Sequence, residues 1–241
     1  MKGVIEKNVL ERFLKTMTPV NHEARLLFNK DELIVKETDA AHVMMVTAKL
    51  GNTAFKQYSS RTEKHGIDVE KVLGCLKTMS GDVELSFKES NLILKDENLT
   101  FKRRLIDITG EVMKTPKLNF LCTIKVGMDD FKKALKGAMT LDTDCVTLKV
   151  SSEGILFSSG TETDDIMVLF PLKEEDTSQF DDKMRVKSSF SVDLLQGICK
   201  NIPARLELSL SMGNNLPLKI EYSAESMGVE YLIAPRIIEE G

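Results

Sequence analysis

The chain has 241 residues, with 33 Lys and Arg against 37 Asp and Glu, a net charge of −4. Its 42% hydrophobic content suffices for a core, and its 29% charged residues carry both signs, which excludes a polybasic nucleic-acid binder and a disordered acidic chain. With no Trp and three Tyr it lacks the material for an aromatic platform that stacks single strands. At about 150 residues per domain the length corresponds to about 1.6 domains, either one large or two small.

Hydrophobic periodicity gives four helices among many short strands. The first helix spans 8–17, where Val9, Phe13 and Met17 share a face and Asn8 is positioned to cap the start. Strands follow at 32–36 and 43–49. The second helix spans 68–79, with Asp68 as cap and Val72, Cys75, Leu76 and Met79 apolar. Strands at 83–87, 92–95 and 99–106 complete the first half. Residues 109–118 hold Gly110 and Pro116 with few core residues and read as a connector. A strand at 118–126 then leads to the third helix, 128–139, with Phe131, Leu135 and Ala138 inward and Asp129 and Asp130 in its first turn. Further strands fall at 145–150, 155–158, 166–171 and 183–189. The fourth helix spans 191–202 and ends before Pro203. Strands at 206–211, 217–223 and 228–234 finish the chain. The segment 173–182 is acid-rich and reads as a solvated loop. This is an α+β pattern; all-α and parallel βαβ folds fit it poorly.

The chain also repeats itself. Residues 68–87 align without a gap on 191–210 at an offset of 123, with six identities in twenty positions, among them Gly74 with Gly197 and Glu84-Leu85-Ser86 with Glu207-Leu208-Ser209. Fainter echoes fall at offsets 121 and 122, where Leu14-Lys15 answers Leu135-Lys136 and Leu33-Ile34-Val35 answers Ile155-Leu156-Phe157. An offset near half the chain length means a duplicated domain, so two topologically similar domains are expected, 1–108 and 119–241.

Catalytic motifs are missing. There is no G-x-x-x-x-G-K-[ST], G-x-G-x-x-G, G-x-S-x-G or H-E-x-x-H, and His22, His42 and His65 are isolated. Asp142 with Asp144 and Asp164 with Asp165 are the pairs on which a metal-dependent hydrolase would have to draw, and neither has a third ligand nearby. The four cysteines lack C-x-x-C spacing and read as small buried thiols of a reducing compartment. Neither a metal nor a cofactor is expected. No run approaches the ~18 apolar residues of a membrane span, and Glu6 and Glu11 interrupt the start where a secretion signal needs an apolar stretch.

Positive charge, by contrast, is organised. Arg12 and Lys15 lie on the first helix, Lys71 and Lys77 on the second, Lys132, Lys133 and Lys136 on the third, and Lys200 on the fourth. Side by side, such helices make a cationic surface that meets phosphates without reading bases. A second pattern concerns strand edges. The run 99–106 is β-prone and basic through Lys102, Arg103 and Arg104; the run 164–171 is β-prone and opens on Asp164 and Asp165 before Ile166 and Val168. Such edges suit a head-to-tail contact between copies, which closes into a ring if the rotation permits.

Five segments resemble the sliding clamps of the proliferating-cell-nuclear-antigen type, with an archaeal flavour. They are Thr38-Asp39-Ala40-Ala41-His42-Val43, Leu105-Ile106-Asp107-Ile108, the 216–222 run Leu-Pro-Leu-Lys-Ile-Glu-Tyr, the Ser226-Met227-Gly228 turn, and the 231–237 run Tyr-Leu-Ile-Ala-Pro-Arg-Ile. Their order and spacing fit essentially the whole chain. The resemblance implies a DNA clamp fold: a homotrimeric ring of six similar domains, helices inside and sheets outside, encircling duplex DNA. It implies no catalysis. The ring would be opened by a clamp loader and would tether DNA polymerase, flap nuclease and DNA ligase, in an archaeal cytoplasm or a eukaryotic nucleus. Arg12, Lys15, Lys77, Lys133, Lys136 and Lys200 then match hole-facing positions. Partners of these clamps dock a short peptide in a groove, which here would comprise His42, Val43, Met45, Met113, Thr115, Pro116, Pro217, Leu232, Ala234 and Pro235. Thr115 stands where an aliphatic residue is usual in the family, and Leu232 where Tyr is frequent. A subunit of a heterotrimeric or checkpoint-type clamp is the neighbouring alternative.

Overall fold

A computed structural model of the chain describes residues 1–109, 114–172 and 185–237. Two compact units emerge, Met1–Lys114 with Ser223–Val229, and Thr115–Tyr222 with Glu230–Gly241.

The first unit runs β1 (Lys2–Glu6), α1 (Lys7–Lys15), β2 (Glu23–Phe28), β3 (Glu32–Thr38), β4 (Met44–Gly51), β5 (Phe55–Ser59), β6 (Glu63–Asp68), α2 (Val69–Thr78), β7 (Asp82–Lys88), β8 (Asn91–Lys95) and β9 (Thr100–Arg104). Its strands pair antiparallel in the orders β5-β1-β7-β8-β9 and β4-β3-β2-β6. The second runs β10 (Cys122–Gly127), α3 (Met128–Thr140), β11 (Cys145–Ser151), β12 (Gly154–Gly160), β13 (Asp165–Pro171), β14 (Val186–Ser191), α4 (Val192–Lys200), β15 (Glu207–Met212), β16 (Leu218–Ala224) and β17 (Met227–Ile233), the last two divided between the units. Here the orders are β10-β15-β16-β17 and β13-β12-β11-β14. Apart from β5, each pairing order of one unit recurs in the other. This is the duplicated α+β architecture that the repeat predicts.

Strand alternation dictates the layers. In β2 the buried residues are Ala24, Leu26 and Phe28; in β11 they are Val146, Leu148 and Val150. Period-2 burial leaves each sheet one apolar face, and the helices cover it. Leu10, Phe13 and Leu14 of α1 are buried, as are Phe131, Ala134, Leu135 and Ala138 of α3. Within each unit the two helices pack beside each other. Under α3 the rings of Phe131, Phe157 and Phe170 meet pairwise with centroids 6.1–6.4 Å apart, a spacing at which edge-to-face aromatic contact adds to burial.

Local expectations differ in three places. Asn8 lies inside α1; the cap position is Glu6, whose carboxylate instead accepts from Asn8 Nδ2 at 3.2 Å. Asp68 does cap α2, accepting the Lys71 N–H at 3.0 Å. Strands β1, β2, β5 and β6 lie where none was predicted. The hairpin turn before β17 is Glu225-Ser226, with Glu225 at φ 53, so Met227 and Gly228 are already strand. Of the expected connector, residues 110–113 lie outside the described residues and 114–118 form neither helix nor strand; the loop 173–182 also lies outside them. No helix among the described residues is long and apolar enough to cross a membrane.

Three of the four thiols, Cys75, Cys122 and Cys199, are buried, and all four are free. Burial pushes the Cys122 thiol up to about 11 and the Cys199 thiol up to about 12. Since the thiolate is the reactive form, a disulfide reagent at pH 8 is expected to modify the half-buried Cys145 first and to reach the other three only in denaturant. Prompt modification of all four in the native protein would contradict this packing.

Candidate functional site

In each unit the cations lie on the sides of the helices that the core leaves over. Across α1 to α4 there are nine Lys and Arg against five Asp and Glu, the reverse of the balance in the whole chain. The acids are also segregated. Glu70, Asp129, Asp130 and Asp193 sit in first turns, where the positive end of the helix dipole favours them, and Arg12, Lys15, Lys77 and Lys200 sit in last turns. The fifth acid, Glu11, is bracketed by Lys7 at 3.2 Å and Lys15 at 2.6 Å. Hydrogen bonding from Lys15 holds its carboxyl below the usual range.

The expected phosphate contacts are not equivalent. Lys77, Lys136 and Lys200 are exposed; Arg12 and Lys15 are half-buried; Lys133 is exposed beside Asp130 at 3.5 Å. Lys132 differs from its neighbours, because its Nζ donates to the Ile202 carbonyl at 2.7 Å and ties α3 to the end of α4. Arg12 and Lys77 belong to the first unit, and Lys133, Lys136 and Lys200 to the second.

The two predicted edges are the outermost strands of their sheets, β9 and β13. On β9, Lys102, Arg103 and Arg104 are all exposed, and the Arg103 Nε donates to Cys75 Sγ of α2 at 3.2 Å. On β13 the alternation turns Ile166, Val168 and Phe170 one way and leaves Met167 and Leu169 64% and 47% exposed the other way. Asp164 precedes this strand, and its carboxylate accepts from the Thr163 hydroxyl at 2.7 Å. An exposed strand carrying large apolar residues is a template for another strand.

The expected groove residues divide between the units. In the first, Asp39 builds a tight turn: its carboxylate accepts the N–H of Met44 at 2.6 Å and of Ala41 at 3.2 Å, and its carbonyl accepts that of His42 at 3.0 Å. His42 adopts the left-handed region at φ 57, and this turn holds His42 and Val43 outward while Met45 is buried. In the second unit Thr115 and Pro116 are exposed, Pro217 is half-buried just before β16, and Leu232 is buried in β17. Ala234 and Pro235 lead into Arg236, whose N–H donates to the Ser189 carbonyl of β14 at 2.7 Å and whose Nη1 meets Asp144 at 2.5 Å. That hydrogen bond from Arg236 holds the Asp144 carboxyl below its ordinary value. Met113 lies outside the described residues. The Asp39 turn was legible as an Asx pattern; the Arg236–Asp144 pair, 92 residues apart in sequence, was not. Among the described residues no group of three His, Cys, Asp or Glu is arranged to hold a metal ion.

Residues 114–237 match the family model described as proliferating cell nuclear antigen, C-terminal domain. The chain belongs to the proliferating cell nuclear antigen family. Full-length relatives agree. It is 28% identical to the DNA polymerase sliding clamp of Methanococcoides burtonii and 28% identical to that of Archaeoglobus fulgidus, each alignment covering 98% of both chains. Among solved structures it matches A. fulgidus PCNA, determined with the C-terminal region of FEN-1 bound, at a TM-score of 0.89 and 26% identity over 99% of both chains. The PCNA of Thermococcus kodakaraensis matches in fold, with a TM-score of 0.87 at 23% identity over 98% of this chain and 99% of that one.

The different roles of neighbouring lysines are testable. Lys132→Ala is expected to lower stability in urea unfolding by about 1 kcal/mol, for the lost bond to the Ile202 carbonyl. Lys133→Ala should stay within about 0.5 kcal/mol of the parent, as exposed positions do. Equal effects would remove the distinction.

Proposed function

We propose that this chain is a DNA sliding clamp: three copies close head to tail into a ring of six similar units, duplex DNA passes through the hole, and replication and repair enzymes are tethered to the ring. The observation that carries this reading is the likeness to A. fulgidus PCNA along 99% of both chains, in a relative whose solved complex holds the C-terminal region of FEN-1. The protein acts as a scaffold and performs no catalysis of its own.

Grip on DNA is topological in such a ring, so the phosphate contacts need only be weak and indifferent to sequence. Arg12, Lys15, Lys77, Lys133, Lys136 and Lys200 supply them, as cations on the helix surfaces that the core leaves over. Lys132 is assigned a structural role. The subunit contact joins β9, with Lys102, Arg103 and Arg104, to β13, with Asp164, Asp165, Ile166 and Val168. Backbone pairing provides the register, and the opposite charges favour the head-to-tail sense. DNA polymerase, flap nuclease and DNA ligase, and the loader that opens the ring, engage a groove to which His42, Val43, Met45, Met113, Thr115, Pro116, Pro217, Leu232, Ala234 and Pro235 contribute. Strand addition along a connector and tail, with an apolar helical turn seated between, suits that set.

Light scattering at micromolar concentration is expected to give a mass near three times 27.0 kDa; a clean monomer overturns the homotrimer. The combined variant Lys133→Ala with Lys136→Ala is expected to keep that mass but to be retained less well on circular duplex templates, with a shallower salt dependence. Unchanged retention would remove these two lysines from the DNA surface.

A further inference from the structure

Helix α3 carries an interior glycine, Gly137, where alanine would be the better helix former. Its own backbone does not demand it, since Gly137 is absent from the residues of positive φ. The reason lies sideways, on the neighbouring strand. A Cβ at position 137 would overlap Cδ1 of Ile166, and would stand 3.6 Å from its Cγ1, an ordinary contact. One methyl group of one β13 residue thus occupies the space that every other amino acid would fill.

We propose that Gly137 is a positioning residue for subunit association: it lets Ile166 seat its Cδ1 against α3, and so fixes how β13 is presented to the neighbouring copy. This rests on the head-to-tail ring proposed above. Three features make β13 sensitive to that seat. It is the outermost strand, paired through seven positions to β12 alone among the described residues, so nothing on its far side resists displacement. Ile166 is β-branched and stiff at χ1, so its Cγ1 stays over α3 and only rotation about χ2 can carry Cδ1 away from a Cβ at position 137. Finally, Ile166 follows directly on Asp165 and precedes the exposed Met167, so lifting it moves the segment whose open edge is to pair. Overpacking forces either an off-rotamer side chain or a backbone shift, and here both fall on Ile166 and the outer strand that carries it.

The test uses Gly137→Ala, Ile166→Val and their combination in the full chain, with sedimentation equilibrium for association and urea unfolding under dissociating dilution for the single subunit. Gly137→Ala is expected to raise the trimer dissociation concentration about tenfold or more without lowering the subunit's own unfolding midpoint. Ile166→Val removes Cδ1 alone, so the combination is expected to return association to within about threefold of Ile166→Val itself. A trimeric parent whose Gly137→Ala variant associates equally well, or a combination that rescues nothing, overturns the inference and leaves the ring intact. A monomeric parent overturns the ring, and the inference with it.

Discussion

An antiparallel sheet with an uncovered outer strand presents a row of unpaired N–H and C=O groups, and a folded chain has to pair, cover or charge them. β9 and β13 bear that requirement here. β9 meets it with charge, through Lys102 and Arg104 on an exposed edge. β13 does not: Met167 and Leu169 are both exposed, and charge appears only at its start. A strand of that composition left free would invite disordered association. The proposed pairing with a basic strand on a second copy would answer the backbone and the charge together, and because the two edges differ such a contact is heterologous. A heterologous contact repeats, and it yields a ring where the rotation between copies closes.

The helices follow from the same sheet arrangement. Each has one stripe committed to the core, and α1 and α3 are buried through Phe13 and Phe131 respectively. What remains is a polar stripe whose composition is not constrained by folding. Four of the five acids there sit at first turns, where the dipole stabilises them, and the fifth, Glu11, is paired with Lys7 and Lys15, so the rest of each stripe tilts towards positive charge. Folding and phosphate binding therefore make compatible demands on one helix. Net charge is the wrong statistic for such a molecule; −4 is an average over surfaces with different tasks.

Long periodic segments were the most legible. All four helices were anticipated to within a few residues, because a buried stripe at 3.6-residue spacing is a signal internal to the segment. The duplication was legible too, in the twenty aligned residues around α2 and α4. Strand β2 was missed although Ala24, Leu26 and Phe28 alternate, because apolar Leu27 on the other face blurs the period. β1 has only Val4 and Ile5 as large apolar residues, and β5 is an edge strand with one buried residue, Phe55; their positions depend on pairing with β7 and β1. In the candidate site, residue types could be read but their commitments could not. Lys132 and Lys133 are adjacent in sequence, yet only the first meets a carbonyl of the loop after α4. Arg103 reads as one of three equal cations, and the structure turns it toward Cys75.

Pre-ordering is the remaining link between the fold and the candidate peptide surface. A short peptide gains little from each contact, and the cost of ordering its receptor is subtracted from that gain. The Asp39 carboxylate fixes the turn that presents His42 and Val43 before any ligand arrives, with two backbone donors satisfied locally. Arg236 does the same for the tail, joining β14 through its backbone and Asp144 through its guanidinium. Such an exposed ion pair is worth little as stability. Its value lies in geometry, since Ala234 and Pro235 are held between the end of β17 and this anchor. Beyond the anchor, Ile237 is almost fully exposed. The held segment is therefore short, and it coincides with the part of the tail to which the family resemblance assigns recognition.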